Sequence, residues 1–110
     1  MATSKDYLNF ILEQLSGLDG ISCRKMMGEY IIYHHGKIAA YLCDNRLLVK
    51  ILPSTTGMLS DAKKEAPYEG AKEMLLVEEV DDREFLTELF LTMYEELPIL
   101  KKKNLKATES

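Results

Sequence analysis

A chain of 110 residues, 46% hydrophobic and 29% charged, holds enough apolar material for one domain with a core that needs no metal or disulfide staple. Its formal net charge of −4 leaves no overall cationic excess to displace counterions from phosphates, which weighs against nucleic-acid binding by the molecule as a whole. No apolar run approaches the roughly 20 residues that span a bilayer, and the start lacks the basic-then-apolar order of a secretory leader.

Leu8, Ile11, Leu12, Leu15 and Leu18 recur at helical spacing behind Thr3 or Ser4 as cap, and Gly17 and Gly20 break the pattern. This predicts a first amphipathic helix packed on a sheet. From Ile21 to Leu52 the rhythm becomes β-like, in the runs ISCRKMM, GEYIIY, KIAAYLC and RLLVKIL. His35-Gly36 and Asp44-Asn45 suit two-residue hairpin loops. A type I′ turn needs positive φ at both central positions, which Gly reaches freely and His, Asn and Asp reach more readily than most residues.

Residues 53–72 carry four of the nine Gly and Pro residues, so a short helix is expected from about Thr56 to Lys64, then a turn at Pro67 to Gly70. EMLLVEEV reads as a fifth strand. DDREFLTELFLTMYEELP reads as a closing helix, with Asp81 as cap, Glu84 as its capping-box partner and Pro98 as its end. Phe85, Leu86, Leu89, Phe90, Met93 and Leu97 form its apolar stripe. The expected fold class is α+β: an antiparallel β-meander packed with N- and C-terminal helices in two layers. Residues 1–98 form the single domain and 99–110, with a lysine run at 101–103, a polar basic tail.

Strict alternation between the two turns sorts the side chains. One face collects Ile31, Tyr33, Ile38, Ala40, Leu42, Leu47, Val49 and Ile51, an apolar layer for the helices. The other collects Tyr30, Ile32, His34, Lys37, Ala39, Tyr41, Cys43, Arg46, Leu48 and Lys50. This mixture is too apolar for a solvent face, which marks a contact surface. The expected interaction face is therefore Tyr30, Ile32, Tyr41, Leu48 and Lys50. Lys37, Arg46 and Lys50 are the candidate nucleic-acid contacts of the same face, because tyrosines among basic residues can stack bases.

The adjacent histidines, His34 and His35, are the first candidates for chemistry. Neighbours on a strand point to opposite faces, and no third ligand lies at a recognisable spacing, so a hairpin corner is expected and no metal site. Cys43 opposite Arg46 hints at an activated thiol, yet no histidine is placed as its base. The two cysteines, Cys23 and Cys43, have no CxxC spacing, and reduced thiols in a cytoplasmic protein are expected. Glu78, Glu79, Asp81 and Asp82 read as a solvated edge and helix cap. No phosphate-binding loop, dinucleotide fingerprint or serine nucleophile elbow occurs in the sequence.

The stretch CRKMMGEYIIYHHGKIAAYLCDNRLLVKI, residues 23–51, resembles the signature of the TfoX N-terminal domain family, named for regulators of bacterial natural competence. Arg24, Met26, Met27, Gly28, Tyr30, Gly36, Ala39 and Leu48-Val49-Lys50 take the places of its Arg-Met-Phe-Gly-Gly-like segment, strand tyrosine, turn glycine, strand alanine and closing strand. APYEGAKEMLLVEEVDDREFLTELF is similar to its second half, and the likeness runs from about residue 5 to 97. Glu29 stands where the family has a second glycine, and no counterpart of the C-terminal helical domain of full-length competence regulators is expected. The resemblance implies an α+β fold of secretion-chaperone-like architecture, in which dimers are frequent. The expectation is a stand-alone, non-enzymatic regulatory or protein-interaction module without cofactor, acting on a protein partner or as a homodimer. Nucleic-acid binding, and a thiol-dependent or small-molecule enzyme at Cys43, are the alternatives.

Overall fold

The computed structural model describes residues 3–98. Helix α1 (Lys5–Gln14) leads into four consecutive strands, β1 (Ile21–Met26), β2 (Glu29–His34), β3 (Lys37–Cys43) and β4 (Arg46–Val49). Helix α2 (Pro53–Met58), strands β5 (Lys64–Glu65) and β6 (Met74–Val77), and helix α3 (Arg83–Tyr94) complete the order. Among the described residues the strands form one antiparallel sheet of six in the order β1-β2-β3-β4-β6-β5. The first four make the expected meander, and the fold is α+β. The tail at 99–110 lies outside the described residues.

Both expected hairpin turns form, with positive φ at His35 and Gly36 (50° and 82°) and at Asp44 and Asn45 (54° and 55°). A third joins β1 to β2, where Met27 and Gly28 have φ of 53° and 87°. The sequence masks that turn, because a bulky methionine is a poor candidate for left-handed backbone. Here Met27 is 96% exposed, so nothing crowds its side chain.

Ser4 caps α1, accepting the Tyr7 N–H at 3.1 Å. Leu8, Ile11 and Leu15 are buried, with Leu12 and Leu18 packed at their margin. Helix α3 is capped by Asp82, which accepts the Phe85 N–H at 3.1 Å, so the expected cap at Asp81 is one residue early. Its stripe Leu86, Leu89, Phe90 and Met93 is fully buried. The helix expected at 56–64 is also displaced. It starts at Pro53, whose fixed φ and missing N–H suit a first turn. The buried Thr55 hydroxyl holds that start, accepting the Leu52 N–H and donating to the Lys50 carbonyl, each at 2.7 Å. Past Met58 the chain turns and enters β5, a two-residue strand with no periodicity of its own in the sequence.

The largest departure lies in the β2–β3 pair. Tyr33 faces Ile38 and His34 faces Lys37, as strict alternation requires, but Ile32 faces Ala40 and Ile31 faces Tyr41. Ala39 is supernumerary and forms a β-bulge, so Ala39 and Ala40 both enter the core. The helix-covered layer therefore holds Tyr30, Ile32, Ala40, Leu42, Leu47 and Val49. Ile31, Tyr33 and Ile38, expected there, alternate to the outer face. Ile51 lies beyond the end of β4 and is 44% exposed. Each fully buried aliphatic or aromatic side chain of the inner layer contributes about 1.5–3 kcal/mol.

Candidate functional site

The bulge divides the five residues expected on one contact face. Tyr30 and Ile32 belong to the inner core, at 9% and 0% exposure, because the extra residue in β3 reverses the parity of its partner strand. Tyr41 and Leu48 pair with each other and stay outside. Leu48 is itself fully buried there, in a small second core with Cys43 and Met74. Lys50 follows Leu48 by two residues, so alternation brings it to the same side. Only Tyr41 and Lys50 of the five reach the surface of that face, both half-buried.

They line an open cleft of about 540 Å³ whose other residues come from beyond the meander: Ile51, Pro67, Tyr68, Ala71, Lys72, Glu73 and Met74. Met74 belongs to the outer core. The wall is a tight turn at residues 68–71, closed by the Ala71 N–H donating to the Tyr68 carbonyl at 3.1 Å. Gly70 sits in it at φ 89°, and a Cβ there would meet nothing within 4 Å, so backbone conformation alone favours glycine. Tyr68 stands out at 57% exposure. Pro67 and Gly70 mark this turn in the sequence without giving it a role; its one signal is the aromatic residue between them, where a turn presents its side chain outward.

Burial holds the Tyr41 phenol above its ordinary value, with Tyr68, Tyr33 and Cys43 adding to the shift. At neutral pH Tyr41 is thus an uncharged O–H donor at the cleft. Lys50 and Lys72 have no ion-pair or hydrogen-bond partner for their ammonium groups among the described residues. Glu73 is the one carboxylate in the lining.

The three candidate nucleic-acid contacts are not brought together. Lys37 turns to the helix side, where its Nζ donates to the Tyr94 carbonyl at 3.0 Å and lies 4.1 Å from the centre of the Tyr94 ring. A lysine at the last carbonyls of α3 also meets the negative end of its dipole. Arg46 stays outside but is engaged. It pairs with Glu65 across the intervening strand β6 and with Asp44 at 3.7 Å, and its Nε donates to the Cys43 carbonyl at 3.0 Å. Lys50 alone remains uncommitted.

His34 and His35 form a hairpin corner, with a geometry that alternation does not give. His35 occupies a left-handed turn position, so its ring folds back and stacks on His34 at 5.0 Å between centroids. His34 is buried against Phe90 and Tyr94 of α3. Its Nδ1 has no hydrogen-bond partner among the described residues. Burial lowers its pKa below the ordinary histidine value, and the neighbouring His35 and Lys37 lower it further. Gly20 passes directly beneath: its carbonyl accepts the His35 N–H at 2.8 Å, and a Cβ there would sit 2.3 Å from the His35 ring. Among the described residues no three His, Cys, Asp or Glu side chains are grouped to hold a metal ion.

The feature behind an activated Cys43 thiol is outweighed. Burial, then the Glu29 carboxylate, push the thiol up to about 11, and the opposing effect of Arg46 is smaller. Glu29, where the resembled pattern has glycine, accepts the Thr3 hydroxyl at 2.9 Å and the Asp44 N–H at 3.1 Å. The Thr3 hydroxyl oxygen in turn accepts the Asn45 N–H at 3.3 Å. This carboxylate clips the residues before α1 to the β3–β4 turn, so it has a structural place of its own.

No helix among the described residues is long and apolar enough to cross a membrane. The chain is 31% identical over 80 residues to an uncharacterized 12.7 kDa protein encoded in the trpE 5′ region of Spirochaeta aurantia, a match covering 73% of this chain and 70% of the relative. Residues 13–90 match the model of the TfoX N-terminal domain. A match over most of the chain, spanning the meander, the cleft wall and most of α3, leaves one assignment: the protein belongs to the TfoX N-terminal domain family.

Proposed function

We propose that the protein is a non-catalytic regulatory module of the cytoplasm that works by contact with another protein, through the outer face centred on Tyr41, Lys50 and Tyr68. The observation that carries this reading is the cleft itself. There two tyrosines, an exposed Ile51 and two lysines without ion-pair partners among the described residues converge on one open concavity. Elsewhere the candidate residues are occupied: Lys37 and Arg46 by their partners, His34 by α3, Cys43 by burial. Rigid aromatic anchors beside uncommitted cations suit a contact surface. A regulatory role by contact also fits a family named for competence regulators.

The reading is tested by placing a photo-crosslinking amino acid at Tyr68 or Ile51 and, as control, at Leu91, which is 55% exposed on α3. Cross-linking in cells is expected to give a discrete adduct from the first two positions and none from Leu91. Adducts from Leu91 alone, or none from any position, would sink it. Sedimentation of the purified protein then decides whether the partner is a second copy, which raises the mass with concentration, or a different protein.

A further inference from the structure

Resting on that reading, we infer that the cleft takes an extended acidic segment of the partner, with an apolar or aromatic side chain seated between Tyr41 and Tyr68 and carboxylates against Lys50 and Lys72. Charge is the first reason. Two lysines and one carboxylate, Glu73, line the cleft, on a protein whose formal net charge is −4. The cleft is thus a local reversal of the molecule's sign, and a basic partner gains nothing there that the rest of the surface does not offer more strongly. Availability is the second. Lys37, Arg46 and Arg83 are engaged by a carbonyl or by carboxylates, whereas Lys50 and Lys72 are not.

Shape argues for a segment over a free small molecule. The cleft volume lies within the range of about 300–1,000 Å³ typical of ligand sites. Yet the cleft is open, and two residues of its lining, Ile51 and Tyr68, stand 44% and 57% exposed, which suits a chain running across it better than an enclosed small ligand. Its frame is also prepared in advance. The Lys50 carbonyl is tied to the buried Thr55 hydroxyl at 2.7 Å, and the Tyr68 carbonyl is tied within its turn at 3.1 Å, so little backbone ordering remains to oppose binding.

The protein contains no tryptophan, so a tryptophan-bearing peptide can be followed by its own emission. Two blocked pentapeptides serve as probes, a central tryptophan flanked on both sides by glutamate pairs or by lysine pairs, with indole-3-acetate as the small-molecule arm. The acidic peptide should shift its emission to the blue and move the amide signals of residues 41, 50 and 68–74 in isotope-labelled protein. It should bind about tenfold more tightly than the basic one, and lose about tenfold when Lys50→Glu and Lys72→Glu are combined. Lys25→Glu, on exposed β1, should change nothing.

Equal affinity for the two peptides, both at the cleft, overturns the acidic assignment and leaves the contact face standing. Indole-3-acetate binding as tightly as the acidic peptide overturns the segment in favour of a small ligand. Signals that move only elsewhere, or no binding at millimolar peptide, overturn both the segment and the face.

Discussion

The two faces of this sheet are built from similar residues and do different work. The inner face is covered by α1 and α3, and its Ile32, Leu42, Leu47 and Val49 are completely shielded beneath Ile11, Leu86, Leu89 and Phe90. The outer face has a small core of three buried residues, Cys43, Leu48 and Met74, with Tyr41 and Leu76 at its margin. Around it lie an ion pair that crosses β6 and a turn that leaves a cleft. Apolar side chains on the inner face hold the fold; on the outer face they stop short of filling the space, and the unfilled part is where the uncommitted lysines lie. Composition alone does not separate a core from a contact surface; what covers each face does.

This contrast is most sharply tested by truncation. Phe90→Ala empties the middle of the inner layer and should cost about 3–5 kcal/mol in urea unfolding. Tyr41→Ala, on the half-buried outer side, should cost less than half as much. Equal losses would mean that both faces are cores of equal weight. Next come the thiols. Cys23 is exposed on β1, and Cys43 is buried with its thiol pushed up to about 11. Native protein should therefore react with a thiol reagent in one fast phase, at least about a hundredfold ahead of the second, and Cys23→Ser should remove the fast phase.

A smaller effect is expected at the clip between the chain start and the β3–β4 turn. Glu29→Gln weakens two charge-assisted hydrogen bonds, to the Thr3 hydroxyl and the Asp44 N–H, and should cost about 1 kcal/mol while speeding amide exchange at Asp44. The mildest change is with pH. His34 has its folded-state pKa below the ordinary 6.5, so the native state binds the proton less readily than the unfolded chain does. Its contribution is fully present above pH 6.5 and is lost as pH falls from there through the lowered folded value. Unfolding midpoints measured downward from pH 7 should show this slope, and His34→Gln should flatten it.

How far the sequence carries depends on whether a feature is periodic. The strands of the meander, two of its three turns, both long helices and their buried stripes follow from spacing and turn chemistry. The register on either side of the bulge follows as well: His34 faces Lys37 and Tyr33 faces Ile38 near one turn, and Ala40 faces Val49 near the other. What spacing does not carry is the junction. Ala39 is an ordinary strand residue, and nothing in KIAAYLC says that one position drops out of the ladder. That silence moved Tyr30 and Ile32 to the wrong side and left Tyr41 and Lys50 where they were expected. The rest of the cleft escaped for another reason. Tyr68 and Lys72 reach it through an irregular segment, whose path is set by β6 pairing with β4 far along the chain.

The bulge has a consequence for how lengths are compared among related chains. Tyr30 and Tyr41 carry the same ring on adjacent strands, and the place where one residue of β3 drops out of the ladder puts the first inside and leaves the second at the surface. A relation lacking the residue at position 39 would run an unbroken ladder and present the same ring outward. The loss of one residue nearer the second corner would instead draw Tyr41 inward, though the remaining letters would match as well as before. In this fold the location of a gap tells more about recognition than percentage identity does.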